Sequence, residues 1–240
     1  MNPEIRVIPI LTVIEEDLVK TTNFKKPSYV GDPLNAVRIF NDKYVDELVL
    51  LDIGTNNKIN YQLIREVAGE CFMPLTYGGG INSVSDAEEI FKLGVEKISL
   101  NRLVFNDLEA VKEMIKEFGS SSIVLSIDIV KKEESYFAFD RLHNKLIDIE
   151  EFNDSISDLE FGEILVTSVD REGTLSGADF QLAKYFSSSE LPVVYNGGIS
   201  SNEDIITISE YDISGVAAGA FFVYYGPHRA VLIHYPKIRL

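Results

Sequence analysis

The chain has 240 residues, 45% of them hydrophobic, and a formal net charge of −16. The length suits one large barrel-sized domain, and the acidic balance argues against DNA, RNA or an anionic membrane as partner. No apolar run nears the ~18 residues that cross a bilayer, and the lone cysteine, Cys71, excludes an internal disulfide and fits a reducing cytosol.

The opening MNPEIRVIPI lacks an apolar core with a cleavage site, so no leader peptide is expected. RVIPILTV (6–13) reads as a first strand, followed by a long connection, IEEDLVKTTNFKKPSYVGDP, and a helical DPLNAVRIFNDK. DELVLLDI (46–53), PLTY (74–77) and EKISL (96–100) continue the strands, with the helical patterns NYQLIREVAGE, SVSDAEEIFKLG and DLEAVKEMIKEFG after them in turn. SIVLSIDI (122–129), GEILVTSV (162–169), LPVVYN (191–196) and SGVAAG (214–219) complete eight. Buried parallel strands read as continuous apolar runs, and strand–helix alternation argues for a parallel sheet. Eight such units predict a (β/α)8 TIM barrel spanning 1–240, with a doubly wound open sheet as the alternative.

The chain also repeats itself. Residues 73–105 align without gaps to 191–223, and Pro74, Tyr77, Gly79, Gly80, Ile81, Ser83, Asp86 and Ile90 each meet the same residue 118 positions later. A period of half the chain is too long for a solenoid and predicts two half-barrels, about 1–120 and 121–240. The same offset, near 116, sets the first strand on the fifth, so Thr12 falls opposite Asp128.

YGGGINS (77–83) and YNGGISS (195–201) put glycines between a strand end and a helix start, where backbone can approach an anion and helix N–H groups are expected to be free. SLNR (99–102), AAGA (217–220) and DREGTLSG (170–177) add further loops. Two such sites across one mouth suit a small molecule phosphorylated at both ends; tight turns alone are the plainer alternative. Asp128, ending an apolar strand, should face the mouth as a general acid or base. Thr12 can only orient ligands by hydrogen bonds. Lys20, Lys25 and Lys26 lie in the long connection, a candidate lid that could reach an anion. Arg6, Glu47, Lys97 and Glu163 stand near the starts of strands 1, 2, 4 and 6, low in the barrel, where paired charges could plug the floor or gate a passage. His143, His228 and His234 lack metal-ligand spacing, so no metal is expected.

VGDPLNAVRIF, VDELVLLDI, MPLTYGGGINS, FGEILVTSVDREGTLSGAD and YNGGISS together resemble the cyclase subunit of imidazole glycerol phosphate synthase, along nearly the whole chain. The resemblance implies a two-fold repeated barrel with a glutaminase subunit on its floor, and no cofactor. Ammonia would pass through the barrel to a substrate with two phosphates, yielding imidazole glycerol phosphate and an aminoimidazole carboxamide ribotide. By position, Asp128 matches one of the family's two catalytic aspartates and Thr12 replaces the other. Lys20 matches the loop lysine. Gly80 and Asn101 match one phosphate site; Gly173, Gly198 and Gly219 match the second. Arg6, Glu47, Lys97 and Glu163 match the ammonia gate.

The departures are specific. Besides Thr12, Arg102 replaces a small hydroxyl residue in one phosphate site, Ala220 replaces a serine in the other, and HRAVLIHYPKIRL lacks the usual final helical pattern. LVKTTNFKKPSYVGDP resembles a branch found beside sugar amidotransferases and linked to acetamidino modification of surface sugars. Cys71 in GECFMP has no nucleophile elbow, so the glutaminase must be another chain. The expected role is therefore a cytoplasmic subunit that conducts ammonia for surface-sugar amidation, with a sugar amidotransferase as a further partner. The alternatives are a working cyclase of histidine biosynthesis, with Thr12 tolerated through rearranged chemistry or with Glu15 or Glu16 substituting for the lost acid, a sugar-phosphate isomerase, or a scaffold.

Overall fold

The computed structural model describes residues 5–54 and 58–236; the last four residues of HRAVLIHYPKIRL lie outside the described residues. Eight parallel strands run in chain order: β1 (Arg6–Ile14), β2 (Leu48–Asp52), β3 (Leu75–Gly78), β4 (Lys97–Leu100), β5 (Ile123–Lys132), β6 (Glu163–Ser168), β7 (Val193–Asn196) and β8 (Gly215–Ala218). Each pairs with the next, and β8 pairs back onto β1 with Arg6 opposite Gly215. This closure leaves no sheet edge and removes the open-sheet alternative. The fold is a (β/α)8 TIM barrel.

Helices α1 (Pro33–Lys43), α2 (Tyr61–Glu70), α3 (Val84–Lys92), α4 (Leu108–Phe118), α5 (Ile149–Ser155), α6 (Phe180–Phe186) and α7 (Asn202–Ser209) surround it. Their starts are written in the sequence. Asp32 caps α1, with Pro33 at the first helical position, where the missing N–H costs nothing. Ser83 and Asp86 form a capping box on α3, and Ser201 and Asp204 form the same box on α7.

Strand period two sorts the side chains. The outward set, including Leu11, Leu50, Ile98, Leu125 and Val166, packs under the helices. The inward set forms a separate cluster of Ile8, Ile10, Val49, Val124, Leu165, Val194 and Ala217. Even spacing places Arg6 and Thr12 on the same inner face of β1, one below this cluster and one above it. Glu163 and Thr167 are related in the same way on β6. The barrel interior is thus a charged floor, an apolar middle and a polar mouth.

Two β-hairpins rise over the mouth. The long connection after β1 is not an irregular loop but a hairpin, Asp17–Thr22 with Lys25–Gly31, and β5 is followed by Ser135–Asp140 with Lys145–Asp148. Leu18 to Thr21 of DLVKTT are all buried, covered on both faces, while the outer strand stays largely exposed. After β8, one turn of helix (Ala220–Val223) leads into a short pairing of Tyr224–Tyr225 with Ala230–Val231. Among the described residues no longer helix follows, in agreement with the sequence. Instead, Tyr235 stacks on Phe222 and donates its hydroxyl to the carbonyl of Val7 at 3.1 Å. No helix among the described residues is long and apolar enough to cross a membrane.

Candidate functional site

A cavity of about 510 Å³ opens at the carboxyl ends of the strands, where barrel sites lie. Thr12, Lys20, Gly80, Asn101, Arg102, Asp128 and Gly219 all line it. Gly173 and Gly198 line an adjoining recess that shares Glu172, Asn196 and Gly219 with the main cavity. Thr12, Lys20, Asp128 and the loop residues Gly80, Asn101, Arg102, Gly173, Gly198 and Gly219 are therefore brought together at one mouth. Three basic side chains (Lys20, Arg102, Arg141) face four acids (Asp52, Asp128, Asp140, Glu172) here, a far less acidic balance than the chain's −16.

Asp128 lies on the inner face of β5 and is only 6% exposed. Burial pushes its carboxyl up to about 6, against Arg141 and a hydrogen bond from Asn101, with Glu172 adding to the rise. Such a group is a competent acid and base near neutrality. Thr12, across the mouth, donates its hydroxyl to the carbonyl of Val19 in the hairpin. Lys20 bends inward from that hairpin. Its Nζ donates to the Ile10 carbonyl at 2.6 Å and to Thr12 Oγ1 at 3.4 Å. Burial pushes this amine down to about 8, with Glu172 pulling the other way.

The glycine turns differ from the sequence expectation in one respect. The backbone entering α3 and α7 is partly occupied: Asp86 accepts from the N–H of Asn82 and Ser83 while its own N–H donates to Ser83, and Asp204 accepts from Ser200 and Ser201 while its N–H donates to Ser201. Capping boxes consume these donors because Ser-x-x-Asp satisfies a helix start internally. The helices beginning at Arg102 and Ala220 carry no side-chain cap, so their backbone N–H groups, with those of the glycine turns, remain for an anion. Gly80, Gly173 and Gly198 have φ of +72°, +69° and +82°, where a side chain is strained. Arg102 donates to Asn82, whose amide in turn donates to the Gly80 carbonyl, tying the arginine to the first cradle.

The floor quartet closes as a ring. Arg6 pairs with Glu47 at 2.7 Å and with Glu163, and Lys97 reaches both carboxylates at 3.1 Å. Thr76 donates to Glu47 at 2.9 Å. Each charge has two opposite neighbours, the condition under which buried charge is tolerated.

Some expectations fail. Glu15 and Glu16 are exposed at the entry to the hairpin and do not line the cavity, so neither is placed to stand in for an acid at Thr12. Lys25 and Lys26 are exposed at the start of the outer strand and do not line the cavity, although Phe24 and Pro27 on either side of them do. Conversely, Asp52, Glu172, Phe24 and Arg141 belong to the mouth and were missed. Asp52 carried the same signal as Asp128, an acid ending an apolar strand. Arg141, over the Phe24 ring at 4.6 Å, depends on two hairpins meeting, which no local pattern announces.

A family model described as "Histidine biosynthesis protein" matches residues 6–228. The chain belongs to that family. It is 46% identical over 241 residues (97% of this chain, 96% of the relative) to a Pseudomonas aeruginosa protein named "Putative imidazole glycerol phosphate synthase subunit hisF2". It is 40% identical over 241 residues (97% and 93%) to a Vibrio vulnificus protein named "Putative imidazole glycerol phosphate synthase subunit hisF3". With the "Imidazole glycerol phosphate synthase subunit HisF" of Pelodictyon phaeoclathratiforme it shares 38% over 206 residues (83% and 82%). By name, these relatives are subunits of imidazole glycerol phosphate synthase.

Proposed function

We propose that this chain is an ammonia-receiving subunit that works with a separate glutaminase docked on its floor and serves amidation of a surface sugar. One observation carries the reading: the floor ring is complete, whereas the mouth has Thr12 where a second catalytic aspartate is expected. Loss of a general acid or base costs ~10²–10⁴-fold in rate, a price that cyclase duty in histidine synthesis would not tolerate. The apolar middle of the barrel suits neutral ammonia over ammonium or water. Tyr44 and Phe72, 90% and 86% exposed at the floor end, suit docking of a partner subunit. The matched capping boxes of α3 and α7 support descent from two half-barrels.

The second reading is a working cyclase, with Thr12 tolerated. It is favoured by Glu172, a carboxylate the mouth retains beside Asp128. The deciding experiment supplies the family's two-phosphate substrate and high ammonium to the purified chain without glutaminase. We expect turnover far below that of a two-aspartate enzyme. Comparable turnover would make this an ordinary cyclase.

A further inference from the structure

We propose that Lys20 is a carbonyl-reactive amine, which forms an imine with a phosphorylated aldehyde or ketone held in the mouth and then yields that carbon to ammonia. The first step stands on the mouth alone; the second rests on the ammonia reading above.

Lys20 sits inside the cavity wall, only 3% exposed. Its Nζ has three close neighbours, none of them anionic: the Ile10 carbonyl at 2.6 Å, the Thr12 hydroxyl at 3.4 Å, and Gly219, where an added Cβ would collide with the amine. Among the described residues it is in no salt bridge. The other charged groups of the cavity are Asp52, Arg102, Asp128, Asp140, Arg141 and Glu172, and of these only Glu172 acts on it, from beyond hydrogen-bond reach. An ammonium desolvated with no carboxylate in hydrogen-bond reach gives up its proton readily, and burial holds this amine near 8 against the pull of Glu172. A desolvated lysine that gives up its proton near neutrality is the usual imine-forming group.

Position supplies the rest. Gly219 lines both the cavity and the recess of Gly173 and Gly198. A phosphate held in that recess brings the carbons next to it up to Nζ. The Nζ lone pair attacks the carbonyl carbon, and one N–H proton passes to the oxygen, giving a carbinolamine. Protonated Asp128, on the same cavity, hands a proton to the hydroxyl, which leaves as water as C=N forms; the remaining nitrogen proton returns to Asp128. Ammonia then adds to that carbon, two of its protons pass in turn to the Lys20 nitrogen, the C–N bond to Lys20 breaks to return the free amine, and the ligand departs as its imine. Nothing is oxidised or reduced. Thr12 is integral to this: an aspartate there would pair with Lys20 and keep it charged.

The test uses the full chain, glyceraldehyde 3-phosphate and borohydride at pH 7.5, with adducts located by peptide mass mapping. An amine titrating near 8 is ~100-fold more deprotonated at that pH than an ordinary lysine, so a reduced adduct at least ~10-fold above that on exposed Lys25 and Lys26 is expected at Lys20. Unphosphorylated glyceraldehyde should lose this preference, and inorganic phosphate should suppress it. Thr12→Asp should abolish the excess at Lys20 while leaving Lys25 and Lys26 unchanged; Thr12→Val, which adds no charge, should keep it. Labelling that follows exposure, with Lys20 blank in the parent chain, overturns the proposal, as does equal labelling in Thr12→Asp. No ammonia or glutaminase is present, so that failure leaves the ammonia reading intact.

Discussion

Lys20 Nζ lies 3.4 Å from the hydroxyl of Thr12, so a cation meets a neutral group where the family resemblance calls for a carboxylate. The consequence for stability has a definite sign. The folded amine titrates near 8 and the unfolded one near 10.4, so between these values the unfolded chain binds more protons. Stability should therefore rise with pH across that window, and the buried ammonium should cost about 3 kcal/mol at neutrality. Lys20→Met should remove the rise and be more stable than the parent at pH 7. Thr12→Asp should remove it too, by pairing the ammonium. Urea unfolding at pH 7, 8, 9 and 10 reads both; a rise that survives Lys20→Met would assign it to another group.

Asp128 predicts the opposite slope. Its folded carboxyl is near 6 and the unfolded one near 3.9, so between them the folded chain binds more protons and stability falls as pH rises. At pH 7 the ionised, buried group costs about 3 kcal/mol. Asp128→Asn should thus be more stable than the parent at pH 7, with the gain fading below about pH 4. A carboxylate kept for the proposed acid–base role at a cost in stability is the expected trade. If Asp128→Asn is less stable at pH 7, the carboxylate is satisfied in a way its burial does not suggest.

The eight strands and the mouth were legible because both rest on local rules. Apolar runs mark buried parallel strands, and period two carries Arg6 to the floor and Thr12 to the mouth of one strand. Asp128 was found by the same rule, and Asp52 was there to be found. The hairpins were not legible as such. KKPSYVG is exposed and patternless, and what fixes it is pairing to the buried DLVKTT. Nor was the use of Glu172: it stands among glycines quoted for their backbone, and its place in the cavity lining and the bond from Thr21 at 3.2 Å depend on chain segments far apart in sequence.

The repeated strand–turn segments differ in one buried atom. Tyr195 accepts from the Asp179 N–H at 2.7 Å and donates to the Gly197 carbonyl at 3.0 Å. Its counterpart, Tyr77, has a buried hydroxyl with no partner among the described residues. Removing one member of a satisfied buried pair costs about 1–3 kcal/mol, whereas deleting an unsatisfied hydroxyl is close to neutral. Tyr195→Phe should therefore lower stability by about that amount and Tyr77→Phe should not. Urea unfolding of the two variants decides it; equal losses would mean that Tyr77 is bonded after all.

The floor ring separates stability from function. Glu47, 4% exposed, accepts from Arg6, Lys97 and Thr76. Glu47→Ala strands two cations beside one remaining carboxylate and should cost about 3–5 kcal/mol. Replacing Arg6, Glu47, Lys97 and Glu163 together by apolar residues of similar volume should restore most of that loss, since a buried charge network rarely outperforms good packing. If the ring gates ammonia, the apolar variant should fold yet lose coupling between glutamine hydrolysis and ammonia arriving at the mouth. In the glutaminase complex, ammonia released to bulk solvent, measured by a coupled dehydrogenase, should rise towards one per glutamine hydrolysed. An apolar variant that folds and still retains ammonia as the parent does would reduce the ring to a structural plug.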